Sequence, residues 1–381
     1  AFSVIREQFP KSKLAIGQGI ITSMFASGAI VGLIVGAAIS AGAGWRMTFI
    51  SIIPITLLLP VLVWRFTPIG AVHSDWQIPG AAANAAKSQA ASTDRVPRKK
   101  LDLIGAGLLA VSISTFLISL TMIETSGAAG SSLPLLGAGA ACIVAFVLFI
   151  YNERRAVNPL IDLKLLGNRV LLLSNILIII LGFSMFMVFQ TIPILAESPA
   201  PVGFGASIVS AAQIQLPFAI ILLIFGPTSG FIVSKMGSIR PTVLGYAINA
   251  AGFFMLAAFH SQAWMVSTAL AVISTGISLG SVGLMNIILL STPFRNMVTS
   301  IGMTTLLRIV GSAVGPAIAG VIMELNQTRI EGAAGTFPSS ESYTIIFLSA
   351  AIVSTVAVAM AVKIRQHLKT QAASGQHLSA T

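Results

Sequence analysis

Residues 19–37 read GIITSMFASGAIVGLIVGA, and residues 302–320 read GMTTLLRIVGSAVGPAIAG. The two segments align without a gap, 283 residues apart, with small residues at matching positions. Glycines four residues apart lie on one face of a helix and allow another backbone to approach closely. Two copies at the same spacing indicate that the chain contains duplicated halves. The residues of the repeat are Gly19, Gly28, Gly32 and Gly36 in the first copy and Gly302, Gly311, Gly315 and Pro316 in the second.

The composition of the 381-residue chain indicates an all-α polytopic membrane protein. Hydrophobic residues make up 55% of it and charged residues 9%, whereas soluble domains carry roughly 25% charged residues. So few charges cannot cover a water-exposed surface, and most of the outer surface must face lipid. The single cysteine, Cys142, rules out an internal disulfide. We find no phosphate loop and no metal-ligand spacing, so we expect neither cofactor nor metal, and we do not expect an enzyme.

Ten apolar stretches are long enough to cross a bilayer core of roughly 30 Å as helices. They are residues 14–41, 47–64, 103–123, 133–151, 170–195, 207–233, 241–259, 264–291, 297–322 and 343–362.

The distribution of cations predicts the orientation of these spans. If the spans alternate in direction, 19 of the 22 Lys and Arg residues fall on one side, Arg46 and Arg329 on the other, and Arg308 inside a span. The cation-rich side is cytoplasmic by the positive-inside rule. We therefore expect a cell-membrane protein with both ends of this chain in the cytoplasm. The net charge of +11 is a topology signal and does not indicate a nucleic-acid partner.

Several motifs, in their order, resemble the major facilitator superfamily. The first glycine copy resembles the antiporter motif of that family's fifth helix, and residues 44–49 (GWRMTF) resemble the start of its sixth. Residues 230–240 (GFIVSKMGSIR) resemble the second-half copy of its cytoplasmic loop motif. Residues 102–105 (DLIG) and 158–163 (NPLIDL) are similar to the branch of 14-spanning drug:proton antiporters, in which two extra helices separate the halves.

The resemblance implies a division of the chain. Residues 1–65 are the remainder of an N-terminal six-helix half, whose earlier helices we expect upstream, and 66–100 are a cytoplasmic linker. Two inserted helices occupy 101–151, and 152–169 form a cytoplasmic interfacial segment. A complete C-terminal six-helix half spans 170–365, followed by a cytoplasmic tail at 366–381.

Three positions depart from the family pattern. Leu33 stands where the antiporter motif has proline, Ala37 where it has glycine, and Ser234 where the loop motif has an acidic residue. The residues that carry the resemblance to the loop motif are Gly230, Lys235, Gly237 and Arg240.

Polar residues within the spans are candidates for a solute cavity. Arg308 is the one charge deep in a span, which favours a cavity-facing cation that binds an anionic group, or one that tunes a coupling carboxylate upstream. A structural arginine, which bonds helix carbonyls at a packing point or extends its stem to place the charge near water, is the alternative. Asn175 and Gln190 lie about 60° apart around their helix, with Phe186 between them. Ser274 and Ser278 share one face of their span with Ser267 and Ser281; for all these polar residues, helix packing is the alternative.

The resemblance to the 14-spanning drug:proton antiporters implies a secondary active transporter working by alternating access, with proton-coupled efflux of amphipathic drug-like compounds. Its partners are the lipid bilayer, a small-molecule solute and protons, and we expect a monomer. We expect a membrane-embedded carboxylate in upstream sequence to carry the proton. A metabolite facilitator or proton symporter on the same fold, and a non-transporting membrane sensor, are the alternatives. A membrane-embedded transferase is disfavoured because it needs an acidic metal-binding cluster.

Overall fold

A computed structural model describes residues 13–66, 102–126, 132–156, 159–293, 296–330 and 335–373. The helices before the second half are α1 (Leu14–Ala43), α2 (Trp45–Phe66), α3 (Leu103–Ser126), α4 (Ser132–Arg155) and α5 (Leu163–Leu166). The later elements are α6 (Arg169–Glu197), α7 (Ile208–Met236), α8 (Ile239–Ala258), α9 (Ala263–Ser291), α10 (Met297–Leu325), β1 (Gln327–Arg329), β2 (Thr336–Pro338) and α11 (Ser340–Ala373).

Ten of these helices are long and apolar enough to cross a membrane, all except the four-residue α5. The prediction of ten spanning helices in an all-α protein is therefore confirmed. The clearest difference is α11, which continues eleven residues beyond the predicted end at 362. Its last turns contain Lys363, Arg365 and Lys369, and residues of this straight-chain type favour helix. Apart from Phe66, the predicted linker 66–100 lies outside the described residues.

The chain forms two compact units, Ala1–Ala37 with Asp102–Thr381, and Ala38–Leu101. The first boundary falls within α1, whereas the predicted division places residues 1–65 together. In the smaller unit, Gly44 separates the end of α1 from α2 with a φ of 84°, a left-handed conformation that favours glycine. Arg46 lies over the Trp45 ring at 4.6 Å. The predicted segment boundaries remain predictions.

In the larger unit, α6 and α9 are the most buried helices. Helix α6 packs against α10 and α11, and α9 packs against α7 and α8. The buried Tyr246 hydroxyl on α8 donates to the Leu177 carbonyl on α6 at 3.0 Å. These contacts place α6, α7, α9 and α10 around a common interior.

Residues 102–105 and the segment after α4 form one hydrogen-bonded junction. The Asp102 carboxylate accepts from the Gly105 amide at 2.8 Å, through Oδ1, and from Asn152 Nδ2 at 2.8 Å, through Oδ2. It therefore caps α3 and ties it to α4. The buried Glu153 carboxylate accepts from the Ile161 amide, which fixes the loop before α5. Asn158 lies outside the described residues.

The segment between α10 and α11 contains a short antiparallel pair. Gln327 lies opposite Pro338 and Arg329 opposite Thr336. The Ser342 hydroxyl donates to the Asn326 carbonyl at 2.8 Å, so the start of α11 is attached to the end of α10.

Candidate functional site

A cavity of about 150 Å³ lies in the larger unit among α1, α6, α7, α9 and α10. Its lining is mostly apolar, with a few polar groups. The lining residues are Gln18, Ile21, Thr22, Phe25, Ile178, Leu181, Gly182, Met185, Phe186, Leu222, Ile277, Ser281, Val282, Met285, Thr304, Thr305 and Arg308. A concave, mainly apolar pocket with few polar groups is typical of a small-molecule site.

Helical periodicity explains how these residues meet. The lining positions on α1 (18, 21, 22 and 25) and on α6 (178, 181, 182, 185 and 186) follow the three- and four-residue spacing of one helix face. Each helix therefore presents one stripe to the cavity.

Close backbone contact holds α1 against α7 beside the cavity. A Cβ placed on Gly19 would lie 2.3 Å from the Gly226 carbonyl oxygen, so only glycine fits there. The Ser23 hydroxyl lies 3.0 Å from the Leu223 carbonyl oxygen and donates to it. This contact orients the neighbouring face of α1, which carries Gln18, towards the cavity.

The second glycine copy packs α10 against α6. Cβ atoms placed on Gly311 and Gly315 would lie 2.2 and 2.3 Å from the carbonyl oxygens of Ile179 and Phe183. Gly28, Gly32 and Gly302 have no described atom within 4 Å of such a Cβ. The predicted close approach therefore occurs at part of the repeat only.

Arg308 extends from this packed region of α10. Its carbonyl accepts from the Ser312 hydroxyl at 2.8 Å, while its side chain lines the cavity. Within the described part of the chain, its guanidinium has no hydrogen-bond or ion-pair partner. Arg308 is exposed in the structure, so its role as a cavity-facing cation or as a structural arginine stays a prediction.

Gln18 is the second unusual polar group of the cavity. Its side chain is 1% exposed, yet neither Nε2 nor Oε1 has a hydrogen-bond partner among the described residues. An unpaired buried amide costs about 1–3 kcal/mol in proteins. Such a group is suited to bind a polar atom of a ligand.

The predicted cavity residues have three different outcomes. Phe186 and Arg308 line the cavity, and so does Ser281. Asn175 is buried behind the lining, where its Oδ1 accepts from the Thr304 hydroxyl at 3.0 Å. Gln190 is exposed and is not among the lining residues.

Ser274 and Ser278 require a correction. The Ser274 hydroxyl donates to the Phe218 carbonyl at 2.6 Å, and the Ser278 hydroxyl is 2.9 Å from that of Ser229. Ser267 similarly donates to the Ile214 carbonyl at 3.1 Å. These hydroxyls connect α9 to α7 and do not line the cavity, because small polar residues on a packed helix face find partners on the neighbouring helix.

Sequence reasoning missed Gln18, Thr22, Thr304 and Thr305. The signal for Gln18 was a lone amide within the first apolar span, between Gly17 and Gly19. Thr304 and Thr305 precede Arg308 by one helical turn, which places them on the same face.

The loop motif lies at the end of α7. Gly237 ends the helix with a φ of 76°, and Lys235 lies over the Phe231 ring at 4.3 Å. A Cβ placed on Gly230 would meet the Ala15 carbonyl oxygen at 2.4 Å. Arg240 is exposed. The motif thus combines a close helix contact with a basic, exposed turn.

The arrangement of the cavity suits non-covalent binding. No group of His, Cys, Asp or Glu that could hold a metal ion occurs among the described residues. Cys142 lies on α4 and does not line the cavity.

Comparisons with known proteins agree on one family. The family model for the Major Facilitator Superfamily matches residues 1–316. The tetracenomycin C resistance and export protein of Streptomyces glaucescens is 24% identical over 332 residues, covering 85% of this chain and 55% of that protein. The quinolone resistance protein NorB of Staphylococcus aureus (strain MRSA252) is 25% identical over 304 residues, covering 78% and 59%.

Among solved structures, the nucleoside transporter NupG matches with a TM-score of 0.45 and 12% identity, covering 94% of this chain and 88% of that one. The chain spans about half the length of the first curated relatives it matches.

Proposed function

Because the chain belongs to the Major Facilitator Superfamily, we propose that it forms part of a secondary active transporter that carries small amphipathic solutes across the cell membrane. The cavity among α1, α6, α7, α9 and α10 is the solute site of this proposal. Alternating access then exposes the cavity to each side in turn.

The buried, unpaired amide of Gln18 carries this assignment. A cavity that served only as a packing defect would be lined by apolar atoms and stay empty. Here a 1%-exposed amide without a partner and an unpaired arginine share a mostly apolar lining. Both groups are satisfied only when a solute or water enters.

Efflux of drug-like compounds is the proposed physiological role. The names of the tetracenomycin C and quinolone resistance relatives support it, as do the aromatic and methionine side chains Phe25, Phe186, Met185 and Met285, which can adapt to varied apolar bodies.

Proton coupling is the proposed energy source. It needs a titratable group whose charge changes during the cycle. None of the cavity-lining residues in the described part of the chain is a carboxylate, so the coupling group lies elsewhere in the protein. The orientation with the cation-rich loops in the cytoplasm, the 14-spanner arrangement and the monomeric state belong to the same proposal.

Reconstitution into proteoliposomes tests the function. With an imposed pH gradient, acidic inside, norfloxacin accumulates, accumulation stops when a protonophore dissipates the gradient, and glucose is not carried. Phe186→Ala reduces accumulation several-fold. Phe254→Ala is the matched control, because Phe254 is similarly exposed on α8 (46%, against 36% for Phe186) but does not line the cavity.

Accumulation of glucose without accumulation of norfloxacin would favour the metabolite carrier. Amphiphile transport that does not depend on the pH gradient would contradict proton coupling. An equal loss of accumulation in Phe186→Ala and Phe254→Ala would contradict the cavity assignment.

A further inference from the structure

We infer that the solute bound in this cavity is an amphipathic anion whose acidic group is held by Arg308 and Gln18. The inference rests on the proposed function, because it takes the cavity to be the solute site. Carboxylates and sulfonates attached to an apolar body are the chemical class.

The charge of Arg308 is not compensated by the described part of the protein. None of the lining residues is acidic. The acidic residues that the structure describes lie at or near helix ends and in the loop before α5. They are Asp102, Glu124, Glu153, Asp162, Glu197, Glu324 and Glu341. A charge at membrane depth is costly unless it has a partner, and an arginine fork matches the two oxygens of a carboxylate.

The hydrogen-bond donors free to bind a ligand are few and lie on Gln18 and Arg308. The Thr304 hydroxyl donates to Asn175, the Thr305 hydroxyl to the Ile301 carbonyl at 2.9 Å, and the Thr22 hydroxyl to the Gln18 carbonyl at 3.0 Å. Ser281 donates to the Ser278 carbonyl at 3.2 Å. With these hydroxyl protons engaged, the remaining donors are the Gln18 Nε2 and the guanidinium. Two donor groups, one of them charged, suit an anionic acceptor.

The other side chains of the lining favour a solute whose remaining part is apolar. Phe25 and Phe186 are aromatic, Met185 and Met285 are polarizable, and Leu222 is aliphatic. A lipophilic cation finds the same apolar contacts, but it meets an unpaired positive charge in place of a carboxylate. The cavity therefore discriminates by the sign of the solute's charge.

Three probes with one ring system and different charges test the inference. They are 2-naphthoate, 2-naphthylmethanol and 2-naphthylmethylammonium, measured by equilibrium binding to the purified protein in lipid nanodiscs at one pH near 7. We expect 2-naphthoate to bind at least about tenfold more tightly than the ammonium probe, with the alcohol between them.

Substitutions at position 308 separate charge from packing. Arg308→Gln lowers the affinity for 2-naphthoate about tenfold and leaves that for 2-naphthylmethanol within about twofold, whereas Arg308→Lys keeps most of the preference for the anion. Arg308→Glu inverts the preference towards the ammonium probe. An inversion is a gain of affinity that a misfolded variant cannot give, so it keeps the test decisive if Arg308→Gln is unstable.

The outcomes distinguish this inference from the proposed function. If all three probes bind equally and Phe186→Ala weakens all of them, the cavity is the solute site and the anion inference is wrong. The inference is also wrong if the wild type prefers the ammonium probe, or if Arg308→Gln and Arg308→Glu leave the preference unchanged. Probe binding that is unaffected by Phe186→Ala and by Arg308→Glu overturns the cavity assignment itself.

Discussion

The carbonyl oxygen of Arg308 lies 2.4 Å from the position that a Cβ on Gly182 would occupy. Helices α6 and α10 therefore approach to backbone contact at the cavity lining. This contact determines where the Arg308 side chain enters the cavity.

We expect Gly182→Ala to displace α10 from α6, because the added methyl meets backbone atoms that cannot rotate away. Overpacking of this kind costs about 1–3 kcal/mol, so the melting temperature in detergent falls and solute affinity falls with it. Gly302→Ala is the control, since a Cβ there meets no described atom within 4 Å. It keeps or slightly raises stability, because alanine favours helix over glycine. Equal melting temperatures for the two variants would contradict the close packing.

The contact between α1 and α7 gives a second comparison within one glycine copy. Gly19→Ala places a methyl 2.3 Å from the Gly226 carbonyl oxygen, whereas Gly28→Ala meets no described atom within 4 Å. We expect Gly19→Ala to abolish most transport in vesicles and Gly28→Ala to retain it. Transport that is equally sensitive at both positions would indicate that the repeat acts through another surface.

Replacing Gln18 with leucine should change stability and binding in opposite directions. Leucine removes an unpaired buried amide, which raises the melting temperature by roughly 2–4 °C, and it removes a ligand-binding donor, which weakens solute affinity several-fold. Gln213→Leu is the control, because Gln213 is exposed on α7 and does not line the cavity. A Gln18→Leu protein that is less stable and binds normally would make Gln18 a structural residue.

The junction of α3 and α4 should behave as a coupled pair. Asp102→Ala removes both the helix cap and the bond from Asn152, at a cost of about 1–2 kcal/mol in the free energy of unfolding. Asn152→Ala removes only the second bond and costs less. The double variant is no worse than Asp102→Ala alone by more than about 0.5 kcal/mol. Fully additive losses would mean that the two side chains do not interact.

The fold followed from the sequence because it depends on long apolar runs. The number of spans and their order follow from run length and charge, which are local properties. The end of α11 was not predicted correctly, because residues with helix propensity continue past the apolar run to Ala373.

The site was predicted less completely because it depends on which helices touch. The serines of α9 have the spacing of a cavity face, but Ser274 and Ser278 meet α7 acceptors that no local pattern specifies. Gln18 was missed for the converse reason. Its importance comes from being buried without a partner, which only the packing of α1 reveals. Arg308 was predicted because a lone charge in a span is conspicuous without knowledge of its neighbours.

The central claim is that the cavity holds the transported solute, and cysteine protection tests it most directly. In a Cys142→Ser background, which removes the one cysteine of these 381 residues, the new cysteine of Thr305→Cys lines the cavity. Thr228→Cys is the matched control, because Thr228 makes the same kind of bond to the carbonyl four residues earlier but lies outside the cavity. Norfloxacin, once shown to be carried in vesicles, is the protecting solute.

We predict that saturating norfloxacin slows N-ethylmaleimide labelling of Thr305→Cys about tenfold and leaves labelling of Thr228→Cys unchanged. Labelling of Thr305→Cys at the same rate with and without norfloxacin, in protein that still transports it, would contradict the account.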